Sequence, residues 1–327
     1  MKKILLTAIG KRVQLIKHLR KNNIVVGVDA GKLAPAQYFV NTFYQVPKCD
    51  EKGYIDALLR ICLKERVDLL IPLWEKEFLK LDQHREEFEG LGAKLILSKK
   101  SFLELCNDKW QTYKYFQDMG LDIPQTVLME ELLKNPALGI KYPLILKPRF
   151  GMGSKGICHA EDFQELENLG LSPGDYIAQE FIEGTEFTVD VLCDFEGTAI
   201  SIVPRRRIEI RDGEVSKSKT VRDFAIINKV LDLINKTKML DHGHRIIGPI
   251  NIQCIANGNK IKFIEINPRF GGGVPLTFAA GVNYGELLAD MAAGEKINPL
   301  IGDFEELTML RFDDAVYVKD GVLKENI

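Results

Sequence analysis

The sequence predicts a parallel α/β domain followed by an α+β region, and three observations carry that expectation. The first hundred residues alternate short apolar runs with helix-periodic stretches, the pattern of βαβ units around a parallel sheet. Beyond residue 98 the texture changes to charged amphipathic helices and then to strands joined by turn residues such as Asn257-Gly258-Asn259. With 327 residues, 46% of them hydrophobic, the chain can bury more than one core.

In order, Lys3 to Ala8, Ile24 to Val28, Leu69 to Leu73 and Lys94 to Leu97 read as strands, with helices over Val13 to Arg20, Tyr54 to Lys64 and Glu75 to Phe88. The first turn, Ala8-Ile9-Gly10-Lys11-Arg12, has one glycine where a dinucleotide fingerprint needs three, so Asp29 stands as a Rossmann-style acid without its cofactor. Two helices follow, Lys100 to Cys106 and Asp108 to Met119, with Asp108 as N-cap and Gly120 as the stop. A small α+β unit comes next: strand Leu144 to Lys147, a glycine loop, helix Glu161 to Leu169 and strand Tyr176 to Glu180. Strands Phe187 to Cys193 and Ala199 to Arg205, a hairpin turning at Asp212-Gly213, helix Phe224 to Leu240, and strands Ile250 to Ile255 and Ile261 to Asn267 complete the reading.

A formal net charge of -2 gives no electrostatic case for a nucleic-acid or membrane partner. The apolar run after Met1-Lys2-Lys3 breaks at Gly10-Lys11-Arg12, and no stretch approaches the roughly 18 apolar residues of a membrane span, so a cytoplasmic protein is expected. Six dispersed cysteines without a C-x-x-C read as reduced thiols, and His242-Gly243-His244 as loop histidines in place of a metal site.

Chemistry concentrates at Phe263-Ile264-Glu265-Ile266-Asn267-Pro268-Arg269, followed by Phe270 and three glycines. Alternation on a strand puts Glu265 and Asn267 on one face and Ile264 and Ile266 on the other, and Pro268 ends the strand with Arg269 at its mouth. That arrangement suits an oxygen-ligand site for Mg²⁺ beside a cation; its bland counterpart is a local Glu265–Arg269 pair. Lys147 ends a strand just before Gly151-Met152-Gly153-Ser154-Lys155-Gly156, where backbone donors and cations suit a polyphosphate. The connector Gln179-Glu180-Phe181-Ile182 offers backbone groups and an apolar side chain to an adenine, and Glu186 an acceptor to ribose hydroxyls. Arg207, Glu209 and Arg211 alternate along the following hairpin, either as a solvated face or as cations for an anionic substrate, with no way to choose among Arg205, Arg206 and Arg207.

Taken in order, Asp108-Lys109, Lys147 with its glycine loop, Gln179 to Ile182 with Glu186, Gln253, and Glu265 to Arg269 resemble the ATP-grasp superfamily. The chain looks most like its carbamoyl-phosphate-synthetase-like branch of carboxylate-amine ligases, the group that holds the pyrrolysine-biosynthesis ligase. The resemblance implies a Rossmann-like pre-ATP-grasp domain over residues 1–97, a first grasp lobe with a glycine-loop lid over 98–183, and a second lobe with the metal site over 184–327. It implies that Lys109, Lys147 and Ser154 hold ATP phosphates, that Glu180 and Ile182 contact adenine and Glu186 the ribose. Gln253, Glu265 and Asn267 would hold Mg²⁺, or Mn²⁺, with Arg269 steadying the transferring phosphoryl group. Many such enzymes place acids at two metal positions, and here two of the three ligands are neutral amides. The expected reaction joins a small carboxylate and an amine, both amino-acid-like, through an acyl phosphate, in a chain that could form a homodimer. Glu75 or Glu77 would contact the substrate's amino group. An NAD-dependent oxidoreductase and a non-catalytic nucleotide-binding module are the alternatives.

Overall fold

The computed structural model describes residues 1–151, 153, 155–211, 213–240, 243–319 and 321–323. Ser154 and Met152 of the glycine loop, Asp212 of the hairpin turn and His242 lie outside the described residues.

The first sheet contains β1 (Lys2–Thr7), β2 (Asn23–Asp29), β3 (Thr42–Gln45), β4 (Leu69–Pro72) and β5 (Lys94–Leu95), all parallel in the order β3-β2-β1-β4-β5. Ile4, Leu5 and Leu6 are fully buried in succession because helices cover both faces of a parallel sheet. These helices are α1 (Val13–Leu19), α2 (Tyr54–Glu65), α3 (Glu75–Gln83) and α4 (Arg85–Gly90). The expected single helix from Glu75 to Phe88 is thus two. At the break Arg85 turns inward, where it is 5% exposed, and donates to Leu95 O at 3.0 Å and Leu97 O at 2.6 Å. Those carbonyls at the sheet's end would otherwise lack a partner, and a straight helix could not deliver the guanidinium to them.

After α5 (Lys100–Asn107) the Asp108 side chain accepts from Trp110 N at 2.9 Å and opens α6 (Lys109–Asp118). Gly120, with φ +70°, ends it in the left-handed region as expected. The second sheet joins β6 (Thr126–Leu128), β7 (Leu144–Pro148), β8 (Cys158–Ala160) and β9 (Tyr176–Glu180), antiparallel in the order β6-β9-β7-β8. With α7 (Met129–Lys134) and α8 (Phe163–Asn168) it encloses a separate small core around Leu144, Leu146 and Leu166.

The third sheet is formed by β10 (Thr185–Cys193), β11 (Ala199–Arg211), β12 (Glu214–Thr220), β13 (Gly248–Asn257) and β14 (Lys260–Asn267), with α9 (Phe224–Leu240) packed on β11. Helices α10 (Pro275–Ala279) and α11 (Tyr284–Ala293), which the sequence reading did not anticipate, lead to the short strands β15 (Leu300–Ile301) and β16 (Thr308–Leu310). The order is β14-β13-β10-β11-β12-β16, with β15 alongside β11. Buried side chains of α1, α10 and α11 join one face of the first sheet to the core of the third, with His18 stacked on Phe278 at 3.9 Å, while the other face packs a separate core with α2, α3 and α4. Among the described residues no helix is long and apolar enough to cross a membrane.

Candidate active site

The site forms where the second sheet faces β14. A crevice there is lined by Lys109, Lys147, Gln179, Ile264 and Glu265 among others, so residues far apart in sequence converge. Lys147 leaves β7 and donates from Nζ to Gln179 Oε1 at 2.7 Å. Burial pushes its pKa down to about 8; Glu265 acts against that shift and Lys109 adds to it. Lys109, at the start of α6, donates to Gly151 O at 3.0 Å and so ties the helix to the base of the glycine loop. Its backbone position is fixed by Asp108, which both caps α6 and pairs with Arg149 at 2.6 Å. Arg149 had no assigned role in the sequence; its place directly after Lys147-Pro148 is the only hint.

Glu265 makes no hydrogen bond or ion pair among the described residues although it is half-buried. The strand that carries it differs from the expectation. Gln253 pairs with Glu265 and Cys254 with Phe263, so Ile264 has no partner and forms a β-bulge. Ile264 and Glu265 therefore both line the crevice beside the buried Phe263, while Ile266 is buried in the core. The strict alternation that would have sent Ile264 into the core fails at this one residue.

Gln253 lies directly across from Glu265, and its Oε1 accepts from Arg207 Nη1 at 3.4 Å. Asn267, 8% exposed, donates from Nδ2 to Asn251 Oδ1 at 3.3 Å, and its own Oδ1 accepts no hydrogen bond among the described residues. Two amide oxygens and a carboxylate that makes no side-chain hydrogen bond or ion pair among the described residues suit a hard cation such as Mg²⁺. Among the described residues no three His, Cys, Asp or Glu side chains cluster to hold a metal, so a cation here would depend on this mixed set, phosphate oxygens and water.

The arginines separate clearly. Arg207 points to the site, 3.2 Å from Glu186, and burial lowers its pKa against the pull of that acid. Arg206 is exposed. Arg211 is held by Glu209 at 2.7 Å, as a solvated hairpin would have it. Arg205, 1% exposed, forms a forked pair with Asp190 at 2.6 and 2.8 Å, and Thr277 also donates to Asp190 at 2.5 Å. Arg205 Nη1 has no hydrogen-bond partner among the described residues. The guanidinium lies under the glycine triplet, where a Cβ on Gly273 would overlap it. Burial of an arginine in a strand that otherwise reads as exposed and basic is not visible from sequence.

Arg269 does not pair with Glu265. Its Nε donates to Glu75 Oε1 at 2.5 Å and its Nη1 to Phe270 O at 3.1 Å, which removes the bland reading of that motif. Glu75, one of the two residues expected to meet a substrate amine, is committed to Arg269. The other, Glu77, is buried and takes hydrogen bonds from Thr7, at 3.0 Å, and Tyr54. Arg12, from the glycine turn after β1, stands near Arg269; burial, then that like charge, lowers its pKa to about 10. Its position past the carboxyl end of a parallel strand is the signal that could have found it.

At the adenine connector, Glu180 pairs through its side chain with Lys262, and the backbone N–H groups of Glu180 and Phe181 donate to Gln125 O and Pro143 O. Ile182 N–H forms no hydrogen bond among the described residues. Asp29 is occupied: its oxygens accept from Gly10 N at 2.9 Å and Gly31 N at 2.8 Å, closing the turn on itself in place of a ribose.

Two grasping sheets around a lysine-flanked crevice define a nucleotide-dependent ligase architecture, and the family comparisons agree. Residues 106–273 match the ATP-grasp domain family and residues 4–96 the PylC-like N-terminal domain family. The chain belongs to the ATP-grasp family. It is 24% identical over 226 residues to the carbamoyl phosphate synthase large chain of Thermoanaerobacter sp. (strain X514), matching 65% of this chain but only 21% of that much longer protein. In structure it is similar to the biotin carboxylase domain of Hydrogenobacter thermophilus 2-oxoglutarate carboxylase in complex with MgADP and bicarbonate, with a TM-score of 0.70 and 20% identity over 91% of this chain and 71% of that one. The L-amino acid ligase of Bacillus licheniformis gives a TM-score of 0.65 with 20% identity, covering 92% of this chain and 78% of that one.

Proposed function

We propose that the protein is an ATP-dependent carboxylate-amine ligase whose two substrates are small and amino-acid-like. The observation that carries this reading is Glu265, a half-buried carboxylate that bonds to none of its neighbours through its side chain among the described residues, beside the amides of Gln253 and Asn267 and lining the same crevice as Lys147. Lys147 and Arg207 act on it only at a distance, so its oxygens are open to a cation that arrives with the ligand. In this reading Lys109 and Lys147 hold the phosphates, Glu180 and Ile182 meet the adenine and Glu186 the ribose, while Gln253, Glu265 and Asn267 hold Mg²⁺. The metal would spread negative charge away from the phosphates.

The substrate carboxylate attacks the γ-phosphorus, the bond to the β-phosphate oxygen breaks and ADP departs. The amine, arriving as the free base, then attacks the acyl carbon and inorganic phosphate leaves as the amide forms. Arg269, held in direction by Glu75, stabilises the charge that develops on the phosphoryl oxygens, so most of the protein's contribution is positioning and electrostatics.

Mg-ATP is expected to raise unfolding stability by about 2.7 kcal/mol at about 100 times its Kd, and ATP with EDTA by far less. Equal shifts with and without metal would remove the metal assignment. ADP release that requires both members of an amino-acid pair, screened pairwise, tests the ligase step itself; release with neither partner dependence would reject it.

A further inference from the structure

A second cavity, of about 460 Å³, opens at the carboxyl ends of β1 to β4, away from the residues assigned to the nucleotide. The chain runs from β1 to β2 and β3 on one side and to β4 and β5 on the other, so the sheet reverses direction between β1 and β4. Ala8, after β1, and Trp74, after β4, both line the cavity. Open parallel sheets bind ligands in the crevice at that reversal. Ala8 holds φ +47° on the cavity wall, a left-handed conformation that costs a residue with a Cβ about 1 kcal/mol or more and is retained where the surroundings enforce it.

The wall chemistry narrows the ligand. Val46, Pro47, Tyr54 and the 40%-exposed ring of Trp74 offer an apolar, partly aromatic surface. Of the three acids, Asp29 is occupied by two backbone N–H groups. Glu77 is occupied by Thr7 and Tyr54, and burial, against those hydrogen bonds, raises its pKa to about 7. Of the three lysines, Lys80 donates to Cys49 O at 2.5 Å. None of these six groups forms an ion pair among the described residues, and the side chains of Lys48, Lys76 and Asp50 make no hydrogen bond there either, which leaves two free ammoniums against one free carboxylate. Lys76 Nζ stands over one face of the Trp74 ring, 5.2 Å from its centre, so the cation is held against the aromatic wall of the cavity.

We propose that this cavity is a second small-molecule site, separate from the nucleotide crevice, that takes a carboxylate with a planar apolar body. The body lies against Trp74 and Tyr54, and the carboxylate meets Lys48 and Lys76. The site stands whether or not the ligase reading holds, because it is argued from the first sheet alone.

The probe is phenylacetate, with phenethylamine as the cationic and phenylacetamide as the neutral counterpart. Trp74 and Trp110 are the two tryptophans, so a Trp110→Phe protein reports Trp74 emission by itself. Phenylacetate should change that emission saturably, and phenethylamine should not. Replacing Lys48 and Lys76 together by alanine should weaken the binding by about tenfold or more, as expected for loss of charge-assisted contacts. Saturating Mg-ATP should leave phenylacetate bound, and Mg-ATP stabilisation of the same protein reports the nucleotide site independently. A ¹⁹F NMR titration with 4-fluorophenylacetate reads the same binding without relying on tryptophan. The proposal is overturned if neither probe binds saturably, if phenethylamine binds as well as phenylacetate, if the double lysine variant binds normally, or if Mg-ATP displaces the probe.

Discussion

Lys147 carries a consequence of its surroundings that titration can read. Burial, with Lys109 nearby, holds its pKa near 8, so the ligand-free protein loses this charge as pH rises through that value. Mg-ATP affinity should therefore fall above pH 8, by at most about tenfold per pH unit for a single proton, and calorimetric titration on either side of pH 8 checks it. Stability moves the other way. Between about 8 and the ordinary lysine value the unfolded chain binds more protons, so this group's contribution to stability rises with pH across that window. Lys147→Met should bind nucleotide weakly and without the step. Arg269→Ala should lower ADP release by on the order of 10²-fold while changing Mg-ATP affinity only a few-fold, since the charge it meets develops during transfer. Near-normal turnover in a folded variant would take Arg269 out of the mechanism. Lys147, Glu265 and Arg269 could be singled out from their motifs, whereas Arg149 could not, and Arg207 could not be told from Arg205 and Arg206, because Asp108 and Glu186 on other elements place them.

Elements whose own residues determine them were readable. Helix α9 places Ile226, Val230, Leu233 and Ile234 on one face, and its span agrees with the expectation at both ends. The parallel strands β1, β2 and β4 announced themselves as continuous apolar runs. Features set by a neighbouring element were not readable: β3 is a half-buried edge strand of four residues, the break at His84 answers carbonyls at the end of the first sheet, and the bulge at Ile264 depends on its pairing with β13. Gly273 belongs to the same group. Glycine is required there because Arg205 Nη1 and Val215 Cγ1 occupy the space of a side chain. Gly273→Ala should cost about 1–3 kcal/mol by overpacking, read as a lowered denaturation midpoint, whereas Gly272→Ala, which meets nothing within 4 Å, should cost less than half as much. Equal losses would show that the triplet answers to backbone conformation and not to the buried arginine.

At the scale of the whole molecule the three cores do not follow the three sheets, because the first sheet packs a core of its own around Leu5, Val26 and Leu70 on one face and shares another on the opposite face. That opposite face, with Ile4, Leu6 and Ile71, is continuous with the interior of the third sheet, and ion pairs such as Glu75–Arg269 and Lys11–Glu214, at 3.0 Å, cross between the two sheets. The second sheet is the exception, since Leu144, Leu146, Leu166 and their neighbours form a core that joins neither of the others. A unit with its own small interior opens at a lower free energy than the body that carries it. Amide hydrogen exchange should therefore be faster in β7 and β9 than in β1 or β10, and Mg-ATP should slow it selectively in the former pair. Uniform protection across all four strands would contradict this. In the proposed function this separate cooperative unit would hold the nucleotide, and the local free energy of ordering it, distinct from the stability of the whole chain, would become a tunable part of how tightly ATP is held.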